Sequence, residues 1–253
     1  MYVVFIVGTA GSGKSLLTAA FAEWLKMAKQ DVAIMNLDPG VVKLPYTPDL
    51  DIRDYINIAN LMEEYRLGPN GALIMAADLI AEQAATLSAE VEELNADLVL
   101  VDTPGQMELF AFRASGPYIA AELTREPKAI VYLFDSVFSL SPLNYVSNLF
   151  LSAAVYNRFL IPQVHVLSKS DLLPQEKVGS IVDWSANPET LELAIDEKLK
   201  GTKRLLSLDM AHAIYRLGLR FLLIPVSAKT NDGMTNLNML LERIFAGGDK
   251  FTY

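Results

Sequence analysis

The sequence predicts a three-layer α/β fold: a mainly parallel sheet with helices on both faces and helical insertions. Three observations predict it. Uninterrupted apolar runs alternate with helical stretches along the chain. The runs are apolar at successive positions, the pattern of strands buried on both faces. Glycine-rich and charged segments follow several runs, at the strand ends where open parallel sheets bind ligands.

The elements follow in order. Val3-Val4-Phe5-Ile6-Val7 marks a strand over 2–7, and good helix formers from Leu16 to Lys29 mark a helix over 14–29. A strand at 32–37 precedes helices at 54–66 and 72–94, which the loop Gly68-Pro69-Asn70-Gly71 separates. Leu98-Val99-Leu100-Val101 gives a strand over 97–101, and a helix follows over 106–123. Strands at 129–134 and 163–167 flank a helix at 142–159 that is apolar on several sides. Helices at 189–199 and 202–218, a strand at 222–226 and a helix at 234–245 complete the chain. Neither a repeat nor a linker divides it, so residues 1–253 are expected to form a single domain. Helical insertions are expected at about 39–96 and about 172–220, and long excursions of this kind carry lids and partner surfaces.

A net charge of −9 disfavours general binding to nucleic acid or to anionic membranes. The absence of cysteine excludes disulfides and thiolate metal sites. No apolar run approaches the roughly 18 residues of a membrane span. The N-terminus enters a strand at once, so no signal peptide and a cytoplasmic location are expected.

Gly8-Thr9-Ala10-Gly11-Ser12-Gly13-Lys14-Ser15 fits G-x-x-x-x-G-K-[S/T] between the first strand and the first helix. In that context the segment reads as a phosphate-binding loop rather than a chance turn. Its glycines let backbone N–H groups converge on phosphate oxygens, and the helix adds the positive end of its dipole. Lys14 is expected at the β- and γ-phosphates and the Ser15 hydroxyl on Mg²⁺. Leu98–Val101 runs into Asp102-Thr103-Pro104-Gly105-Gln106. A carboxylate there can hold Mg²⁺ through water, and Gly105 N–H can meet the γ-phosphate.

The next strand ends at Ser168-Lys169-Ser170-Asp171. Asp171 can accept from N1–H and N2–H₂ of guanine, a donor pair that adenine lacks. The Lys169 stem can lie along the base. Ser227 and Ala228, after the last strand, can offer a backbone N–H to guanine O6. In order behind a phosphate loop, these elements favour guanine over adenine.

The set resembles a GTPase, and more closely the GPN-loop GTPases of the signal-recognition and MinD-like class, with an archaeal member most similar. The marks of that resemblance are Asn36-Leu37-Asp38-Pro39, Asp51-Ile52-Arg53-Asp54, Gly68-Pro69-Asn70 and Asp102-Thr103-Pro104-Gly105-Gln106-Met107-Glu108. MinD-like relatives carry an extra lysine early in the phosphate loop, where this chain has Thr9 and Ala10.

The resemblance implies a P-loop NTPase fold and a homodimer that binds GTP and Mg²⁺ and hydrolyses GTP to GDP. It implies that Asn70 reaches the partner's nucleotide in trans. It places Asp38, Gln106 and Glu108 around the metal and the attacking water. The expected nucleotide contacts are Gly11, Ser12, Gly13, Lys14, Ser15, Leu16, Gly105, Lys169, Asp171, Ser227 and Ala228. The expected metal residues are Ser15, Asp102 and Asp38. A protein client is implied, with large complexes such as RNA polymerase known for eukaryotic members; neither nucleic acid nor membrane is expected as a direct partner.

Ser168 departs from the Asn or Thr that opens the base motif of many GTPases, which loosens the expected grip on guanine. Arg53 and Arg66 are expected to serve as surface or ion-pairing residues, and His165 and His212 to be structural. A nucleotide-stabilised scaffold without appreciable turnover and a P-loop small-molecule kinase stand as alternatives. The late insertion is poor in arginine, unlike a kinase lid.

Overall fold

β1 (Tyr2–Gly8) lies inside the sheet, and every residue after Tyr2 is buried. Its side chains alternate between two apolar clusters, Val3, Phe5 and Val7 in one, Val4 and Ile6 in the other. A strand apolar on both faces requires cover on both, and the rest of the chain supplies it.

The computed structural model describes residues 1–219 and 221–247; Arg220, the expected limit of the second insertion, and residues 248–253 lie outside them. After β1 come α1 (Lys14–Met27), β2 (Val32–Asn36), β3 (Leu50–Asp51), α2 (Ile58–Glu64), α3 (Pro69–Glu82) and α4 (Ala84–Glu93). Next are β4 (Leu98–Asp102), α5 (Met107–Ala111), α6 (Ser115–Glu122), β5 (Lys128–Asp135), α7 (Pro142–Phe159) and β6 (Gln163–Ser168). Then follow α8 (Gln175–Ala186), α9 (Pro188–Lys198), α10 (Gly201–Arg216), β7 (Leu223–Pro225) and α11 (Met234–Phe245).

The strands form one parallel sheet in the order β3-β2-β4-β1-β5-β6-β7. One face packs on α1 and α11 through Leu17, Phe21, Leu25, Met234, Leu237 and Leu241. The other carries the helices of both insertions, through Ile80, Leu87, Trp184, Ile195 and Ile214, together with α7 through Leu149. Parallel pairing brings the strand ends together on one edge, so Gly8, Asp102, Asp135 and Ser168 all finish there.

Three expected helices differ in detail, and one helix is added. The 54–66 helix starts late, because Asp51 caps a short 3₁₀ turn at Ile52–Asp54 and Asn57 then caps α2. The 72–94 helix is two helices, α3 and α4, bent by 64° at Gln83. The 106–123 helix breaks after Ala111, and α6 restarts against it. A Cβ on Gly116 would sit 1.7 Å from Phe110 O, so only glycine permits this approach. The second insertion contains α8, unanticipated, with Val178, Ile181 and Trp184 buried on one face. No single described helix is long and apolar enough to cross a membrane.

His165 is structural, as expected. It is buried in β6, its Nε2 lies 3.2 Å from Gln163 Oε1, and its ring meets Phe221 edge-on at 4.6 Å. Burial lowers its pKa to about 3. In the unfolded chain it takes a proton near its ordinary value of about 6.5. Between these values the unfolded state holds the extra proton, so falling pH destabilises the fold by up to about 1.4 kcal/mol per unit. Denaturant unfolding measured from pH 7 to 4.5 is expected to show this slope, and His165→Gln, neutral throughout, to flatten it.

Candidate nucleotide site

β1 ends at Gly8, opposite Leu133 of β5. A Cβ on Gly8 would come within 2.7 Å of Ser12 Oγ and 3.0 Å of Leu133 Cβ, so the loop closes only over glycine. Gly11 and Gly13 hold φ of 76° and 96°, in the left-handed region that suits glycine. Gly13 caps α1 without a side chain, which leaves the first helical N–H groups for a ligand.

Lys14 is the residue on which the loop closes. Its Nζ donates to Gly8 O at 3.0 Å, Thr9 O at 3.2 Å and Gly105 O at 3.0 Å. Only 5% of the residue is exposed. Burial lowers the pKa of the ammonium, and the charges of Asp102, Asp38 and Glu108 oppose that shift. A buried cation satisfied by neutral carbonyls is a strong site for an anion.

Asp102 ends β4, level with Ile6 of β1 and Asn36 of β2. It is 1% exposed. Burial raises the pKa of its carboxyl, against hydrogen bonds from Ser15 and Tyr46 and the charge of Lys14. Tyr46 Oη donates to Asp102 Oδ2 at 2.7 Å, while Oδ1 is buried with no hydrogen-bond partner. An orphaned carboxylate oxygen beside a serine hydroxyl fits the oxygen shell of Mg²⁺. Among the described residues no group of three or more His, Cys, Asp or Glu is placed to hold a metal alone. A cation here therefore needs oxygens from its ligand and from water.

Asp38 faces the same centre. Its Oδ2 accepts from Gly105 N at 2.8 Å and its Oδ1 from Gly40 N at 2.9 Å. The sequence assigns Gly105 N–H to a γ-phosphate; the structure gives it to Asp38, so an incoming phosphate must displace that carboxylate. The parallel pairing of β2 with β3 sets Asn36 against Asp51. Asn36 Oδ1 accepts from Asp38 N at 3.0 Å, and Asn36 Nδ2 donates to Asp51 Oδ1 at 2.9 Å. Arg53 pairs with Asp51 at 2.5 Å and donates to Val41 O at 3.1 Å. Burial opposes the Asp51 charge, but bonds from Arg53 and Asn36 prevail and lower its pKa. Arg53 is thus an ion-pairing residue, as expected. Gln106 is half-buried at the N-cap of α5, and Glu108 is exposed in its first turn.

The opposite end of the phosphate loop borders a cavity of about 260 Å³. Leu16 and Leu172 stand at its walls, 51% and 57% exposed. The Lys169 stem passes over Gly13, where an added Cβ would touch its Cε at 3.6 Å. Lys169 Nζ donates to Gly11 O at 2.5 Å and pairs with Asp135 Oδ2 at 2.6 Å. Ser227 Oγ donates to Asp171 Oδ1 at 2.7 Å and accepts from Lys229 N and Thr230 N. Ser227 N is engaged with Asp232 O at 3.0 Å. Of the two expected backbone donors to the base, Ser227 is therefore corrected to a support for Asp171, and Ala228 stays on the cavity wall. Ser168 Oγ donates to Ser12 O at 2.7 Å, so the residue that departs from the usual base motif ties β6 to the phosphate loop.

Asn70 is exposed and is the second residue of α3, with Pro69 at the first position and Gly68 as cap. The sequence places it at the tip of a turn; proline suits the first helical position equally well, and the helix begins there. A Cβ on Gly40 would come within 2.6 Å of Leu73 Cδ2, so the segment after Asp38 lies against the start of α3.

Two residues escaped the sequence. Asp135 ends a buried strand as Asp102 does, which is a usable signal. Tyr46 sits between Pro45 and Pro48 in an irregular segment and carries no signal at all.

A family described as a conserved hypothetical ATP binding protein matches residues 6–247. The chain is 33% identical over 248 residues to the GPN-loop GTPase PAB0955 of Pyrococcus abyssi, covering 95% of each chain. It is 29% identical over 252 residues to GPN-loop GTPase 1 of Saccharomyces cerevisiae, covering 95% of this chain and 65% of that one. It is 34% identical over 172 residues to GPN-loop GTPase 1 of Dictyostelium discoideum, covering 67% of this chain and 43% of that one. It thus spans two thirds or less of the length of these two longer relatives. The crystal structure of PAB0955, a GTPase in apo form from Pyrococcus abyssi, superposes with a TM-score of 0.85 at 31% identity over 96% of both chains.

Ser168 supplies the link between β6 and the phosphate loop, and Asp171 does not depend on it. Ser168→Ala leaves Ser12 O without this donor, at a cost of about 1–2 kcal/mol. Guanine nucleotide affinity, measured by titration calorimetry, is expected to fall about tenfold, with the ratio of GDP to ADP affinity unchanged.

Proposed function

Because the chain belongs to the GPN-loop GTPase family, we propose that it binds GTP with Mg²⁺ at this strand edge and hydrolyses it to GDP and phosphate. It acts as a homodimer in which Asn70 of each protomer completes the other's site. The observation that carries guanine is the bond from Ser227 to Asp171 beside the 260 Å³ cavity. A carboxylate held there accepts two donors from guanine, whereas adenine presents a bare N1 to it. The chemistry of Asp171 therefore favours guanine although the family description says ATP.

In the ligand-bound state Lys14 exchanges its carbonyl partners for oxygens of the β- and γ-phosphates. Ser15 and Asp102, the latter through water, would hold Mg²⁺, which would neutralise charge developing on the phosphates. When phosphate takes the Gly105 N–H, Asp38 is released to accept from the attacking water. Gln106, at the N-cap of α5 just after Gly105, orients that water, and Glu108 adds an acceptor beside it. Phosphoryl transfer depends on positioning and charge, and these residues supply both.

Asn70 suits a role in trans. Its amide is exposed at the N-terminal end of a 14-residue helix, where the dipole favours a neighbouring phosphate. Ile74 and Tyr118, on the packed helices α3 and α6, are 41% and 51% exposed, and a partner would cover them. The nucleotide-dependent shape of such a dimer would serve a protein client in the cytoplasm, as an assembly or chaperone-like factor.

The test is a mixed dimer. Lys14→Ala destroys a protomer's own site and spares its loop; Asn70→Ala does the reverse. Combined, with subunit exchange verified, the pair is expected to regain one complete site and hydrolyse GTP faster than either variant alone. No recovery would place the action of Asn70 within its own chain, and no GTP hydrolysis by the parent would favour a scaffold.

A further inference from the structure

The segment between β2 and β3 is tethered at its ends. Gly40 N bonds Asp38, Val41 O accepts from Arg53, and Asp49 N donates to Ile34 O at 2.8 Å. Between these points, Val42, Lys43, Pro45 and Thr47 are exposed. Tyr46 alone turns inward there to a charged group. Its ring packs beside the apolar cluster on the α1 face, and its hydroxyl donates to Asp102 Oδ2 at 2.7 Å. Asp102 is cut off from water, and its other oxygen has no partner.

We propose that Tyr46 is a metal-sensitive latch, which holds the 39–49 segment on Asp102 until a divalent cation takes that carboxylate and releases it. The inference rests on Asp102 serving the magnesium site. A bound cation would present waters whose O–H groups can donate to the carboxylate, including the oxygen that Tyr46 holds. Both the water's bond and the phenol's are charge-assisted O–H···O⁻ bonds, but the metal-bound water brings the attraction of a dication for the carboxylate, which the phenol lacks. The phenol is therefore displaced, and with it the bond that fixes the middle of the segment.

The test uses GDP-loaded protein titrated with Mg²⁺, with two readouts that need no turnover. The first is trypsin cleavage after the exposed Lys43. In the parent, Mg²⁺ is expected to accelerate it; in Tyr46→Phe, cleavage is expected to be fast with or without Mg²⁺. The second is the Mg²⁺ dissociation constant, expected about tenfold lower in Tyr46→Phe because a competing donor is gone. Cleavage of the parent that ignores Mg²⁺ would overturn the latch. So would weaker Mg²⁺ binding by Tyr46→Phe, which would make the phenol a support of the metal shell. Asp102→Asn separates the premise: if it binds Mg²⁺ as tightly as the parent, the metal assignment is wrong and the latch falls with it.

Discussion

Lys14 carries its charge into a place with almost no water, where carbonyls of Gly8, Thr9 and Gly105 receive it. Burying an ammonium costs several kcal/mol, and each charge-assisted bond returns about 1.5–3 kcal/mol. The geometry of the loop follows from that balance. Gly8 must lack a side chain, Gly11 and Gly13 must turn left-handed, and Gly105 must come within reach from the end of a different strand. Asp102 and Asp38 stand close enough to act on the ammonium and limit the loss of charge.

The same economy recurs at both ends of the site: groups suited to a nucleotide bond one another without it. Asp38 takes the Gly105 N–H, Tyr46 takes Asp102, and Lys169 takes Gly11 O and Asp135. A nucleotide therefore exchanges bonds rather than filling a bare cleft. Each of these bonds holds a different segment. Asp38 leads through Asn36 and Asp51 to Arg53, and Ser168 leads from the phosphate loop to β6. Such paired arrangements are what a conformational switch requires.

Much of this was legible in the sequence, for physical reasons. Strands buried on both faces are continuous apolar runs, so six of the seven strands among the described residues were evident; β3, with two residues, offers no period to read. The phosphate loop and the strand-end carboxylates announce themselves because glycine and charge interrupt apolar runs. Helix breaks at Gln83 and before Gly116 were hidden, since packing rather than local preference imposes them. The helix α8 did carry its signal in Val178, Ile181 and Trp184. Tyr46 could not be read, because its role depends on where an irregular segment returns to the sheet. Partner choice by Ser227, whose N–H bonds Asp232 O while its hydroxyl holds Asp171, likewise depends on tertiary closure.

The central claim is that the strand edge discriminates guanine from adenine and turns the nucleotide over. The most direct measurement is the initial rate of phosphate release from GTP and from ATP, each with Mg²⁺, at equal subsaturating concentrations of the purified protein. The account predicts release from GTP at least about a hundredfold faster, the discrimination expected when a polar base site is left unpaired. Equal rates, or faster release from ATP, would contradict it.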